Sequence, residues 1–192
     1  MPKLVDHAER RDRVATLAQE VIRERGLASL TLRDVAGRGG WSPTAVTHYF
    51  RTRDELLVYT LQHSRCQVDD RITAAIESGS TPLQAIIEQT LPLDAERTNR
   101  WQVWLAFWGS AVGSASLGEV QHKAQHALRQ QIAECLVESD FEGDAQSESG
   151  RLVALIDGVA IQTLFAPDDW PAERQLAQFT NHLPPSNDPT ED

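Results

Sequence analysis

No stretch of this 192-residue chain alternates apolar and polar residues at the two-residue period of a half-buried strand. Its apolar residues recur instead at three- and four-residue intervals, and glycine or proline stands where the pattern breaks. The chain is therefore expected to be all-α, built of about nine helices. Val14, Leu17, Ala18, Val21 and Ile22 mark the first helix, stopped by Gly26. Thr31 is placed to cap a second, with Asp34 three residues on, and Gly39-Gly40 ends it. Ser42 reads as the cap and Pro43 as the first residue of a short third helix that runs toward Phe50. Thr52 and Glu55 form a capping box at the head of a long fourth helix that reaches about Glu77. Beyond the Gly79 to Pro82 break, a fifth helix carries Leu83, Ile86, Ile87 and Leu91. A sixth is expected near Ala95 to Val112 and a seventh over Leu117 to Ser139. Leu152, Leu155, Ile156, Val159 and Leu164 mark an eighth, and Leu176, Phe179 and Leu183 a ninth after the Pro167 to Pro171 turn.

Charge divides the chain where the helix pattern suggests a division of labour. The net charge is −10 overall, which read globally argues against nucleic acid. Residues 1–65, however, carry 11 Lys or Arg and 8 Asp or Glu, a net of +3, while residues 66–192 carry 7 against 20, a net of −13. Only the N-terminal third suits phosphate, and the acidic remainder suits a body that faces away from it. We therefore expect a DNA-binding domain over residues 1–55, a helical body over 56–184, and a disordered tail over 185–192 with its prolines and acids. The start of the chain lacks the apolar core of a signal peptide or membrane span, so the expected location is the cytoplasm, with no membrane partner.

Two short helices joined by a tight glycine turn, with a packing helix before them, match the helix-turn-helix layout. Val35, Ala36, Val46 and Phe50 supply the apolar seam, and Gly40 lets the chain reverse. Ser42, Pro43, Thr44, Thr47 and His48 then point outward, as short hydroxyls, a ring and an imidazole suited to base edges in the major groove. Thr31, Arg33, Tyr49 and Arg53 flank them; Arg33, Tyr49 and Arg53 suit phosphate, although Tyr49 serves equally well as core.

The runs Leu32-Arg-Asp-Val-Ala, Gly40-Trp-Ser and His48-Tyr-Phe-Arg-Thr-Arg-Asp-Glu-Leu-Leu57 resemble the TetR family of repressors in order and spacing. The resemblance implies that Thr31, Arg33, Ser42, Thr44, Thr47, His48, Tyr49 and Arg53 sit at DNA-contact positions. Two residues depart from the family pattern: Arg53 stands where Lys is usual, and Thr47 where Tyr is frequent.

In the body, Trp101, Trp104 and Trp108 fall at i, i+3 and i+7 on one face of the sixth helix, with Phe107 beside them. Such a stripe serves either as large-residue core or as the wall of a pocket for a flat apolar ligand or a quaternary ammonium. Trp104-Leu-Ala-Phe-Trp108, Ala154-Leu-Ile-Asp-Gly158 and Phe179-Thr-Asn-His-Leu-Pro184 resemble the BetI-type repressors of the betaine pathway, which implies choline as an inducer. Leu152, Leu155, Ile156, Val159 and Phe179 are the expected interface with a second copy, a homodimer that would read a palindromic operator through two recognition helices. The other reading is a DNA-binding regulator with no small-molecule effector, controlled by a protein partner.

Enzyme chemistry has little to stand on. His122 and His126 have i, i+4 spacing, but no Glu follows His122 and no third ligand is evident, so a solvated face is favoured. Cys66 and Cys135 suggest neither a zinc site nor a disulfide framework. No phosphate loop, dinucleotide fingerprint or nucleophile elbow is present, and no catalytic residue, metal or cofactor is expected.

Overall fold

Local capping decides where the first helices begin. The computed structural model describes residues 3–182, with side chains from His7 onward. Helix α1 spans Lys3–Arg25 and gives way at Gly26 to a single 3-10 turn, Leu27–Ser29. Thr31 then caps α2 (Leu32–Arg38), its hydroxyl accepting from the Asp34 N–H at 3.0 Å. Ser42 caps α3 (Pro43–Thr47) by accepting from the Ala45 N–H at 3.3 Å, with Pro43 in the first helical position. Thr52 accepts from the Glu55 N–H at 3.1 Å, while the Glu55 carboxylate accepts from the Arg51 N–H at 2.8 Å, and α4 (Arg53–Glu77) begins there.

The remaining helices are α5 (Pro82–Thr90), α6 (Ala95–Ala111), α7 (Ala115–Glu138), α8 (Ala145–Phe165) and α9 (Ala172–Ala177). Among the described residues there are nine α-helices and no strand. No helix among them is long and apolar enough to cross a membrane.

The chain forms two compact units, one of Met1–Gln67 with Asn99–Lys123 and one of Val68–Thr98 with Ala124–Asp192. In the first, Val14, Ala18, Val21 and Ile22 of α1 close over Val35 and Ala36 of α2, Val46 of α3 and Leu56 and Leu57 of α4. Phe50 fills the centre with no exposed surface, and Phe107 of α6 joins the same core. Burying one such ring is worth about 2–3 kcal/mol.

In the second unit, Ile86, Ile87, Ile132, Leu136, Leu152, Val153 and Ile156 are all buried. Gln175, also buried, donates from Nε2 to the Pro92 carbonyl at 3.3 Å and to the Trp170 carbonyl at 2.9 Å. This stitch fixes the start of α9 on a segment far away in sequence. Helix α9 stops at Ala177, short of Phe179 and Leu183, which the sequence places in the ninth helix. The chain leaves it in tight turns, with Phe179 N bonded to Leu176 O and His182 N to Phe179 O, and Phe179 is fully buried there. Leu183 and the tail expected over 185–192 lie outside the described residues.

Candidate nucleic-acid interface

The turn between α2 and α3 is set by two glycines with different reasons to be glycine. Gly40 adopts a positive φ of 66°, which side chains other than Gly or Asn rarely take. At Gly39 a Cβ would lie 2.8 Å from the Leu17 Cδ1 and 3.1 Å from the Trp41 ring. Arg38 locks α2 to α1 by donating from Nε to Glu20 at 2.8 Å and from Nη1 to Glu24 at 2.7 Å. The bond from Arg38 also holds the Glu24 carboxyl below its ordinary pKa.

With the two helices fixed, α3 divides into an inner and an outer side. Val46 is fully buried, whereas Ser42, Pro43, Thr44, Thr47 and His48 are exposed together on one surface. Thr31 and Arg33 are also exposed, at the start of α2. Tyr49 is half-buried, with its ring 5.2 Å from that of His48. A further ring stands beside them: His7 of α1 lies 4.8 Å from Tyr49 and 6.1 Å from His48, centroid to centroid. His7 carries no sequence signal, because only the packing of α1 brings it there.

Arg53 is placed differently from the other charged residue of the expected set. Its Nε donates to the Leu30 carbonyl at 2.9 Å and its Nη2 to the Leu27 carbonyl at 2.8 Å, and Nη1 sits 3.6 Å from Asp54. The guanidinium thus closes the 3-10 turn that precedes α2.

The aromatic stripe of α6 is a packed cluster. Trp101 and Phe107 are each 1% exposed. Trp104 and Trp108 are half-buried, edge-on to Trp101 at 5.3 Å and 5.5 Å. Trp104 donates its indole N–H to the buried Ser64 hydroxyl at 3.1 Å. Ser64 was not legible as a site residue from the sequence, where it is one more small polar residue on a helix.

Helix α8 shows two faces. Leu152, Ile156 and Val159, together with Phe179 beyond α9, are buried within the chain itself, so their side chains have no surface to offer a second copy. This corrects the sequence-based assignment, because periodicity identifies residues that share a face but not what the face packs against. Of the five expected interface residues only Leu155 is exposed, at 37%, and it shares the outer face with Ala154, Gly158, Gln162 and Phe165, the last 77% exposed. Asp157 lies beside that face, its carboxyl pushed up to about 6 by burial against the opposing pull of Arg129. His122 and His126 are exposed, and no cluster of metal-ligating side chains occurs among the described residues.

Residues 16–60 match the profile of bacterial regulatory proteins of the tetR family, and residues 80–184 that of the BetI-type transcriptional repressor, C-terminal region. The chain is 31% identical to the transcriptional regulator PksA of Bacillus subtilis, over 87% of this chain and 84% of that protein. It is 29% identical to the regulator BetI of Escherichia coli, over 96% of this chain and 99% of that one. A transcriptional regulator from Rhodococcus sp. Rha1 superposes with a TM-score of 0.74 at 30% identity, covering 86% of this chain and 89% of that one. One from Saccharomonospora viridis, solved in complex with choline, superposes with a TM-score of 0.80 at 24% identity, covering 91% of this chain and 97% of that one.

Proposed function

The chain belongs to the TetR family of transcriptional regulators, with a C-terminal region of the BetI type, and from that premise we propose that it is a dimeric repressor released from a palindromic operator by a small cationic molecule. It is a DNA-binding regulator and not an enzyme. The observation that carries the proposal is the single exposed surface of Ser42, Pro43, Thr44, Thr47 and His48 on a capped helix whose opposite side is core. Short hydroxyls and an imidazole on a narrow helix suit base edges, while Thr31, Arg33 and Tyr49 border them where phosphates run. Arg53 acts chiefly by holding the start of α2. On this reading residues 1–55 are the DNA-binding domain and 56–184 the effector and dimerisation body.

One recognition helix covers only a few base pairs, and two about 34–36 Å apart read successive turns of the groove. The outer face of α8, with Leu155, Gly158 and Phe165, is the surface offered to a second copy. Choline is the proposed effector, supported by the half-buried Trp104 and Trp108 rings, the acidic body, and the choline complex of the S. viridis regulator. A ligand seated against those rings displaces α4 and costs the operator-bound form about 1–3 kcal/mol.

Fluorescence anisotropy with a duplex selected from a random pool tests this in two stages. The wild type is expected to bind a palindrome in the nanomolar range, and choline or betaine aldehyde to lower the affinity at least about fivefold. Failure to select any duplex removes the DNA reading, and intact binding with no response to either amine removes the effector. The second reading, a regulator answering to a protein partner alone, is favoured by one observation: Trp101 and Phe107 are already fully packed.

A further inference from the structure

Helix α1 reaches past the core it helps to close. His7, Arg11, Val14 and Ala18 follow at i, i+4, i+7 and i+11, so they share one stripe. Val14 and Ala18 are buried, Arg11 is half-buried and His7 is exposed. At about 1.5 Å per residue, the helix carries His7 roughly 10 Å beyond Val14. The Arg11 guanidinium lies 4.9 Å over the Phe50 ring, and one turn earlier His7 meets Tyr49, the residue before Phe50. The stripe that builds the core of the head therefore runs out onto the surface that bears His48.

Three rings meet there. His7 stands 4.8 Å from Tyr49 with the planes inclined at 57°, and 6.1 Å from His48 at 66°. His48 and Tyr49 are 5.2 Å apart at 83°. All three separations fall within the about 4.5–7 Å over which edge-to-face pairs attract, so the rings form a closed triangle in which each restrains the other two. Tyr49 is the anchored corner, half-buried and packed against the core of the head. His48 is the corner that most needs holding. It ends α3 with its N–H bonded to the Thr44 carbonyl at 3.1 Å, and its side chain is exposed at the end of a helix of only five residues.

A neutral imidazole has one donor nitrogen and one acceptor. It tells one base pair from another only when a fixed nitrogen is aimed at the groove edge, whereas a ring free to turn presents either nitrogen to any pair. Holding the ring before the DNA arrives also removes part of the ordering cost of binding. We propose that His7 is a specificity-determining positioning residue: its ring holds the His48 imidazole against Tyr49, in the orientation from which His48 meets a base edge. The proposal rests on the proposed reading surface of α3 and adds to it a residue of another helix, one that acts through His48.

The test uses the full-length protein and a duplex that the wild type selects, with each base pair of one half-site changed singly and affinities read by fluorescence anisotropy. His48→Ala identifies the pair that His48 reads, as the one at which the wild type discriminates at least about fivefold and the variant does not. His7→Ala is expected to lower discrimination at that same pair at least about threefold, and to leave the slope of log affinity against log salt unchanged. His7→Phe puts a ring back and is expected to recover the discrimination. Because His7 is exposed, both variants are expected to unfold as cooperatively as the wild type. In a His48→Ala background, His7→Ala changes nothing further at that pair, since a positioning residue acts only through the group it positions. Undiminished discrimination in His7→Ala overturns the proposal, as does a His48→Ala variant that discriminates like the wild type. A loss spread evenly over all pairs with a shallower salt slope also overturns it, because His7 is then a phosphate contact. So does a His7→Phe variant no better than His7→Ala, or a further loss in the His48→Ala background. A wild type that selects no duplex overturns the DNA reading itself and the proposal with it.

Discussion

Gly40 and Arg53 show how much a single residue of the head decides. A Cβ at Gly40, where φ is 66°, strains the backbone by about 1 kcal/mol, so Gly40→Ala is expected to lower unfolding stability by that amount and Gly40→Asn by less. Urea titration of both variants checks this, and equal losses would argue against backbone strain as the cause. Arg53→Lys keeps the charge but gives up the fork that spans the Leu27 and Leu30 carbonyls. The Gly40 turn was readable from sequence because its signal is local. The inward role of Arg53 was not, since its acceptors are backbone carbonyls of a turn more than twenty residues earlier, and a sequence shows only that a cation is present.

Asp157 is also a residue-scale matter, with a pH signature. Its pKa is raised to about 6 by burial, above the ordinary carboxylate value of 3.8. The folded state thus binds the proton more tightly than the unfolded one. Stability is highest below the unfolded pKa and declines as pH rises from about 4 through 6. Asp157→Asn is expected to be the more stable protein at pH 7.5, by on the order of 2 kcal/mol, and to lose that advantage by about pH 4. Melting curves of both proteins across that range decide the matter.

Among the elements, α3 is the most exposed to a small change. It has five residues, and Ser42 supplies its only side-chain cap. Ser42→Ala is expected to cost about 1 kcal/mol in stability and to lower operator affinity, both because the start of the helix frays and because a contact is lost. Ser42→Asp keeps the cap, so it should recover the stability in a thermal melt while leaving the binding impaired. Caps, prolines and glycines made the starts of α2, α3 and α4 legible, because those signals lie within four residues of what they control. Helix α8 was legible as a helix and misleading as an interface. Its apolar stripe of Leu152, Ile156 and Val159 turned out to serve the chain's own core.

For the molecule as a whole, the proposed dimer turns on the outer face of α8. Leu155→Asp combined with Phe165→Asp is expected to yield a folded monomer in sedimentation velocity and to weaken operator binding at least about tenfold, since two half-sites no longer bind together. A dimer that persists in the double variant would place the interface elsewhere. The division of charge, +3 over residues 1–65 against −13 beyond, was readable at this scale from the sequence. The Tyr59–Asp12 hydrogen bond at 2.7 Å was not, because it joins positions that only the folded chain makes neighbours.

Both compact units are discontinuous in sequence, and this bears on how the protein is made. Val103, Phe107 and Leu117 help fill the core that surrounds Phe50, yet they follow residues 68–98, which belong to the other unit. A ribosome therefore releases the reading head well before the helices that finish its core. During that interval the nascent head has bare apolar surface, open to a chaperone or a protease. A fragment cut after Gln67 would lack Val103, Phe107 and Leu117 permanently, so it is expected to melt at a lower temperature than the full chain.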